Sequence, residues 1–467
     1  MGGVRQGRPF KYGGAGRPAW VDAFGELHTR RLDTGEDQFQ TYSRLSRGHD
    51  HSFLFESLSG PGDLAETSVM GFDPRVIFRG YADRAEITEA GSTRVVDTGD
   101  PLSVLRGIVG RVDGGGRRYA GGAVGAVSYG AARLEEEIPD SHPEGIPLME
   151  FGIYDDGIIF DAGGAPPEYF WRGEDRLDEL GLGAGDPEPF RATEPVPEID
   201  EAGFSRMVDS AKKYVHDGDV FQVVLSRRYG FEASGDGLDL YGALRRTNPS
   251  PYMYHLRQGG SAVVGASPEM LVRVTGERVE TFPIAGTRPS GSTAREGDRL
   301  AAELLADEKE IAEHTMLVDL GRNDIGRVCT YGTVRPESLM EVRRFSHVQH
   351  IVTHLAGRLA PGRDMYDAFR SVFPAGTVTG APKVRAMEII DELEPRARGR
   401  YAGAVGYFSA SGCCDFAIAI RSIFLGGGRG YVQAGAGIVS DSDPGREFAE
   451  TEHKAGAMLD AIREASG

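Results

Sequence analysis

The feature that most constrains the fold is a succession of short apolar runs separated by glycine and aspartate. These runs predict β-strands, for example at His51–Leu58, Arg75–Tyr81 and Gly121–Ser128. Farther along the chain they are mixed with amphipathic helix patterns such as Glu201–His216. Strands and helices do not alternate regularly, as they would in a parallel doubly wound sheet. The pattern therefore predicts an α+β fold.

The sequence divides into three portions. Residues 1–165 consist mainly of strand patterns, residues 166–199 are rich in Pro, Gly, Asp and Glu and predict a connecting segment, and residues 200–467 hold the clearest elements. Long helices are predicted at Asp298–Leu317, from Pro382 to about Glu394, and at Gly445–Ala465. Further strands are predicted at Val220–Ser226, Tyr252–Leu256, Ser261–Ala266, Leu271–Val274, Gly403–Ser409, Asp415–Phe424 and Gly430–Ile438.

The overall charge argues against some classes of partner. The formal net charge is −18, whereas nucleic-acid binding needs clustered Lys and Arg, so we expect no nucleic acid. No apolar run approaches the roughly 20 residues that a membrane span requires. The stretch Met1–Lys11 lacks the apolar core of a secretory signal, so a cytoplasmic protein is expected. The three cysteines do not have the spacing of a zinc site and are expected to be inert thiols.

Two predicted helices carry carboxylates at helical spacing. Glu310 and Glu313 share one face, and Glu447, Glu450 and Lys454 form a stripe on another. If the two faces converge, their oxygens would suit a hard cation, and Mg²⁺ fits best. The alternative is that both are solvated helix faces, which are common.

Two segments of small residues suggest a binding site for an anion. Gly435-Ala436-Gly437 offers exposed backbone amides, and Gly376 to Lys383, which includes Thr377, immediately precedes a helix N-terminus. The second segment lacks the order of a P-loop, and an ordinary capped helix start is the alternative. Together with the carboxylates, these segments favour a magnesium-assisted site for a small polycarboxylate, but they do not identify it.

Five segments in order resemble the chorismate-utilising enzyme family, and most closely its anthranilate-forming branch. They are Pro283–Pro289, Asp307–Asp324, Phe373–Glu394, Arg400–Phe408 and Gln433–Lys454. The resemblance implies large antiparallel β-sheets packed as a sandwich with peripheral helices, and an active site in a deep cleft. It also implies chorismate as substrate and Mg²⁺ as cofactor.

The family pattern assigns roles to individual positions. Glu313 and Glu450 match the metal-binding residues, with Glu310 and Glu447 beside them. Glu269 matches the acid that protonates the departing C4 hydroxyl, and His350, Gln222 and Thr377 match further catalytic positions. Those that match chorismate-binding positions are Gly286, Thr287, Tyr401, Arg421, Gly435, Ala436, Gly437 and Lys454.

Two positions discriminate between reactions within the family. Gln222 stands where isochorismate and salicylate synthases carry a base lysine, and Ala285 stands where aminodeoxychorismate synthases carry a nucleophilic lysine. The resemblance therefore implies attack of ammonia at C2 of chorismate, and His350 matches the histidine needed for the pyruvate elimination that follows. The whole reaction is that of a lyase. The alternative is an enzyme that stops at 2-amino-2-deoxyisochorismate and serves a secondary-metabolite pathway.

Two segments resemble the tryptophan feedback site of the family. They are Phe53–Ser57 and Asn248–Met253, which assign Ser57, Pro251, Tyr252 and Met253 to the effector. No cysteine lies in the sequence context of a glutaminase nucleophile, so a separate glutaminase subunit is expected to supply ammonia in a hetero-oligomer. A non-catalytic amino-acid sensor of the same fold is the competing hypothesis.

Overall fold

Two antiparallel sheets contain the strands of the computed structural model, which describes residues 25–58, 67–161, 163–180, 188–345 and 348–467. Strands and helices are each numbered in chain order. The first sheet contains β1 (Leu27–Arg31), β2 (His51–Glu56), β3 (Thr67–Phe72), β9 (Asp156–Asp161), β10 (Glu168–Arg172), β11 (Arg191–Ala192), β12 (Val196–Pro197), β13 (Gln222–Ser234), β14 (Tyr252–Gln258), β15 (Ser261–Ser267), β21 (Gly380–Ala381), β24 (Ser422–Gly426) and β25 (Arg429–Ile438).

The second sheet contains β4 (Val76–Gly80), β5 (Arg84–Glu89), β6 (Ser92–Asp97), β7 (Gly122–Val127), β8 (Met149–Tyr154), β16 (Met270–Thr275), β17 (Arg278–Thr281), β18 (Ile284–Pro289), β19 (Arg335–Arg344), β20 (Val348–Arg358), β22 (Ala404–Ser409) and β23 (Cys414–Ile418). The helices of the described residues are α1 (Gln38–Leu45), α2 (Pro101–Val109), α3 (Glu201–His216), α4 (Gly237–Thr247), α5 (Ala294–Ala306), α6 (Glu308–Gly326), α7 (Met365–Val372), α8 (Lys383–Leu393) and α9 (Pro444–Ala465).

The main hydrophobic core lies between the two sheets. Phe53 and Phe424 from the first sheet and Phe151, Val272 and Phe408 from the second belong to one buried cluster. Helices α4 and α9 cover the outer face of the first sheet, and α3 and α8 pack on β13 and β25. The predicted α+β sandwich with peripheral helices is confirmed.

Strands from both ends of the chain pair with one another. β2 pairs with β14, and β7 pairs with β22, so residues on each side of the connecting segment contribute to both sheets. The division into a regulatory portion (1–165), a connecting segment (166–199) and a catalytic portion (200–467) stays a prediction. The connecting segment is described except for residues 181–187, and it contains the strand β10.

Two predicted elements are interrupted in the structure. The helix predicted at Asp298–Leu317 is two helices, because Asp307 has extended backbone angles and its carboxylate caps the amides of Lys309 and Glu310. The strand predicted at Asp415–Phe424 is also two strands, β23 and β24, which lie in different sheets. The chain crosses between the sheets just before Ser422, where Arg421 has a φ of +51°.

Predictions about targeting are only partly addressed by the structure. Met1–Lys11, the stretch on which the prediction about a secretory signal rests, lies outside the described residues. Over the described ranges, no helix is both long and apolar enough to cross a membrane.

Candidate active site

Helices α6 and α9 bring the four predicted metal-binding carboxylates together. Glu310 and Glu313 project from α6, and Glu447 and Glu450 project from α9. Burial raises the pKa of Glu313, and repulsion from Glu310 and Glu450 raises it further. Burial also raises the pKa of Glu447, and Glu450 again adds to the shift. Glu313 therefore lies within electrostatic reach of carboxylates on both helices, whereas Glu450 remains exposed to solvent. The assignment of these four residues to a metal site stays a prediction.

The donor set is compatible with Mg²⁺. Glu313 accepts a hydrogen bond from Gln222 (3.1 Å), and Glu450 pairs with Lys454 (2.6 Å). In the described part of the chain no three acidic, histidine or cysteine side chains form a ready metal cage. Magnesium is commonly held by one or two carboxylates together with waters and an anionic substrate, so such a cage is not required. A cation would also relieve the mutual repulsion of these carboxylates.

Strands β13 and β25 form a wall beside these carboxylates, because Gln222 of β13 contacts Glu313 and Lys454 of α9 contacts β25. Val224 pairs with Gly437, and Ser226 pairs with Gly435. A Cβ atom at Gly437 would overlap Gln222 Nε2, and one at Gly435 would lie 2.9 Å from the Tyr401 hydroxyl. Glycine at these two positions of β25 therefore leaves room for the Gln222 and Tyr401 side chains to pack against the strand.

Ala436 faces the opposite side of the same strand. Its methyl group is buried in the hydrophobic cluster that α3 and α8 form with β13 and β25. Any contact of Ala436 with a ligand in the cleft would be made through its backbone. Lys454 Nζ, by contrast, donates a hydrogen bond to the Gly435 carbonyl (3.0 Å), so this lysine joins α9 to the wall.

Glu269 is a buried carboxyl between β15 and β16. Burial raises its pKa to about 8, although the nearby Thr377 hydroxyl and the Lys454 ammonium lower it. The carboxyl is therefore protonated at neutral pH. A protonated carboxyl in a cleft can donate a proton to a leaving group.

His350 lies on β20 with its Nδ1 atom 2.7 Å from the Gly286 carbonyl and 3.2 Å from the Thr287 hydroxyl. The pKa of His350 is lowered to about 4, mainly by desolvation. The Gly286 hydrogen bond opposes this shift, and the positive charges of Arg421 and Lys454 add to it.

Gly286 fixes the tautomer of His350. Its carbonyl can only accept a hydrogen bond, so Nδ1 carries the hydrogen and Nε2 keeps a lone pair. Gly286 has a φ of +66°, and a Cβ atom there would lie 2.9 Å from a methyl group of Leu304. Only glycine suits this turn. The cleft thus contains a neutral imidazole that can accept a proton.

Arg421 is held at the crossing between the two sheets. Its backbone is in the left-handed region, an uncommon and costly conformation for arginine. Desolvation lowers the pKa of its guanidinium, while Tyr401 and Glu450 oppose that shift. Over the described ranges no carboxylate lies within ion-pair distance of this side chain. A desolvated, unpaired guanidinium is suited to an anionic ligand, and its planar fork matches a carboxylate.

Sequence reasoning missed the residues that support this wall. The Glu394 carboxylate, just after α8, pairs with Arg398 (2.6 Å), and both side chains are fully buried. Arg398 donates to the carbonyls of Val378 and Val224 (2.7 Å each), and Glu394 accepts from the Ser226 amide (2.8 Å). The i, i+4 spacing of this pair was the only signal in the sequence, and surface pairs share it.

The predicted effector residues also come together, away from the carboxylates. Ser57 donates a hydrogen bond to the Pro251 carbonyl (2.7 Å), which joins the chain after β2 to the chain before β14. Ser57, Pro251, Tyr252 and Met253 line one small cavity between the sheets. The Tyr252 hydroxyl donates to Asp415 (3.0 Å) at the same place.

Comparison with known proteins agrees with this geometry. Residues 50–460 match the family model described as chorismate binding enzyme. An anthranilate synthase component 1 from Methanothermobacter thermautotrophicus is 47% identical, with 91% of this chain and 92% of that protein covered. Its counterpart from Streptomyces coelicolor is 43% identical, with coverages of 94% and 89%.

Solved structures give the same result. The crystal structure of anthranilate synthase component I from Streptococcus pneumoniae superposes with a TM-score of 0.75 at 39% identity, covering 85% of this chain and 92% of that one. The chain therefore belongs to the chorismate-binding enzymes, and within them to the anthranilate synthase component 1 family.

Proposed function

We propose that this enzyme is a lyase that converts chorismate and ammonia to anthranilate, pyruvate and water. The proposal rests on two groups of the site, one of which keeps its proton at neutral pH while the other does not. Glu269 is a protonated carboxyl and His350 is a neutral imidazole at neutral pH, and both lie within electrostatic reach of Lys454. Environments that separate two pKa values in this way provide an acid and a base together.

The cleft offers complementary groups for both carboxylates of chorismate. Arg421 is assigned to the enolpyruvyl carboxylate because its guanidinium is unpaired, with the Tyr401 hydroxyl nearby. Glu313 and Glu450 would hold Mg²⁺, flanked by Glu310 and Glu447. When bound, the ion supplies a Lewis acid for the ring carboxylate. The backbone at Gly435 and Gly437 leaves room for the ring.

In the first step, Glu269 protonates the departing C4 hydroxyl. Ammonia forms a bond to C2, the two ring double bonds shift, and the C4–O bond breaks with release of water. The ammonium group formed at C2 then loses a proton to solvent. The product is 2-amino-2-deoxyisochorismate. Glu269 suits this task because burial keeps its proton in place until the oxygen leaves.

In the second step, His350 accepts the C2 proton at Nε2. The C–H electrons aromatise the ring, the C3–O bond breaks, and the enolpyruvyl group leaves and becomes pyruvate. The hydrogen bond from Nδ1 to Gly286 holds the ring in the correct tautomer for this role. An enzyme without this base would stop at the amino intermediate, and the names of the relatives do not favour that alternative.

The chain itself has no activated thiol for glutamine hydrolysis. Cys329, Cys413 and Cys414 are buried, and burial raises the pKa of Cys329 to about 11 and that of Cys414 as well. This supports a separate glutaminase subunit as the physiological source of ammonia. At high pH, free ammonia should replace it.

The cavity beside Ser57 is proposed as a feedback site for tryptophan. Ser57, Pro251, Tyr252 and Met253 line it, and the strands on either side of it continue into the sheets that bear the active site. Tryptophan that binds a less active arrangement of the sheets more tightly would shift the enzyme toward it.

The principal test is product analysis. Purified protein with chorismate, magnesium and excess ammonium at about pH 8.5 should form fluorescent anthranilate and equimolar pyruvate, and EDTA should abolish both. Mass spectrometry and fluorescence identify the products. Formation of isochorismate, or of an amino adduct that keeps its enolpyruvyl group, would contradict the proposal.

The pKa of Glu269 predicts an alkaline limit to activity. The acid is lost as pH rises through about 8, so kcat at constant free ammonia should fall above that pH. Glu269→Gln should reduce kcat by about 10²- to 10⁴-fold and abolish the limb, because the amide has no acidic proton. Glu277→Gln, at an exposed turn, is the control. A Glu269→Gln enzyme with the wild-type rate and limb would exclude the role.

The feedback proposal predicts direct binding of tryptophan. Isothermal titration with L-tryptophan should give a saturable heat, and the same ligand should slow anthranilate formation. L-Phenylalanine, which lacks the indole N–H, should bind much more weakly and serves as the control. A titration with L-tryptophan that gives no heat would count against this site.

A further inference from the structure

The pairing of β18 with β20 is irregular opposite His350. The register shifts between Ala285 and Arg288, so the two residues between them, Gly286 and Thr287, face the single residue His350. This is a β-bulge, a feature that changes the direction of side chains beside active sites. Both groups next to His350 Nδ1 come from the bulge, the Gly286 carbonyl at 2.7 Å and the Thr287 hydroxyl at 3.2 Å. The position of the bulge therefore sets the position of the imidazole.

The side chain of Arg288 holds this bulge in place. Its guanidinium donates to the Thr287 carbonyl (2.9 Å) and to the Asp307 carboxylate (2.9 Å). It also donates to Glu310 on the first turn of α6 (3.3 Å). Asp307 is the N-cap residue of α6, and the carboxylate oxygen that caps the helix is not the one that accepts from Arg288. One planar, multiply bonded cation thus joins the strand that touches His350 to the start of α6.

The segment after β18 gives the bulge little support of its own. It contains helix α5 and ends at Asp307, 19 residues after Arg288. Most of α5 is accessible to solvent, and its buried residues are Gly297 and Leu304. A segment with few buried apolar contacts opens at a low cost in free energy. The ion pair between Arg288 and Asp307 closes this segment at its base and fixes the bulge relative to α6.

Resting on the function proposed above, we propose that Arg288 is a positioning residue for the second step, because it holds the bulge that holds His350. In that step the C2–H bond breaks, its proton moves to Nε2, and its electron pair completes the aromatic ring as the C3–O bond breaks. The released enolpyruvate takes a proton from solvent and becomes pyruvate. The first step uses Glu269, which lies outside β18 and β20. Arg288 therefore governs whether the amino intermediate goes on to anthranilate or is released.

The test follows the amino intermediate. Supplied with this compound in isolated form, Arg288→Gln should form anthranilate about five- to tenfold more slowly than the wild type, the worth of one lost charged contact. Supplied with chorismate, magnesium and excess ammonium, it should release more of the intermediate per anthranilate formed. Mass spectrometry and fluorescence measure the two products. Their ratio compares two fates of one intermediate, so a change in chorismate affinity does not affect it. Arg288→Lys, which keeps the charge, should restore part of the elimination rate.

Asp307→Asn tests the same ion pair from its other end. Asparagine is as good an N-cap residue as aspartate, so the start of α6 is preserved. Its NH₂ group would face Arg288 and cannot accept a hydrogen bond, so elimination should slow in this variant as well. It also provides the measurement if Arg288→Gln does not fold. Arg299→Gln is the matched control, because it removes an exposed ion pair with Glu303 in the same segment and should leave the product ratio unchanged.

Two results would overturn the inference. If Arg288→Gln and Asp307→Asn eliminate pyruvate at the wild-type rate, the ion pair does not position His350. If Arg288→Gln raises the magnesium concentration required for both steps and leaves the product ratio unchanged, Arg288 acts only through Glu310. A wild-type protein that makes no anthranilate from ammonia would instead contradict the proposed function, so the two failures are distinguishable.

Discussion

The buried ion pair between Glu394 and Arg398 is the interaction on which the architecture of the cleft depends. Two charges removed from water are costly unless every hydrogen-bonding group is satisfied. Here Arg398 donates to the carbonyls of Val378 and Val224, and Glu394 accepts from Ser226. The pair thus ties the segment before α8 to β13. Thr377 and Gln222 project from these two pieces of backbone. The ion pair and the backbone pairing of β13 with β21 together set their separation.

The chemistry of the cleft follows from desolvation acting differently on two groups. Burial penalises a charged carboxylate and a charged imidazolium alike, which makes Glu269 an acid and His350 a base at the same pH. Neighbouring charges do not cancel this effect. Lys454 lowers both pKa values, yet Glu269 remains above neutrality. Arg421 adds a second positive charge near His350, which further favours its neutral form.

Local patterns predicted some elements well and failed where a tertiary contact decides the structure. Helices α3, α8 and α9 have clear apolar periodicity, and each lies within a residue or two of its predicted bounds. The break at Asp307 was missed because an aspartate that caps a helix resembles one on a helix surface. The crossing at Arg421 was missed because an apolar run continues on both sides of it, although the two halves belong to different sheets.

The active site is formed by contacts between residues that are far apart in the sequence, and the spacing of residues along the chain does not predict such contacts. Spacing grouped Glu310 with Glu313 and Glu447 with Glu450, but the meeting of the two helices follows from the packing of α6 and α9 on different strands. The contact of Gln222 with Glu313 joins residues 91 positions apart, and no local pattern indicates it. The family resemblance provided the identities of these residues, and the structure provides their contacts, tautomers and protonation.

In the proposed mechanism one cleft completes both steps, with His350 as the base of the second. The most direct measurement is product analysis of His350→Gln, with His354→Gln on the same strand as the control. His350→Gln should consume chorismate and accumulate the amino adduct that keeps its enolpyruvyl group, with anthranilate formation slowed at least about 100-fold. His354→Gln should form anthranilate. Anthranilate produced by His350→Gln at the wild-type rate would contradict the account.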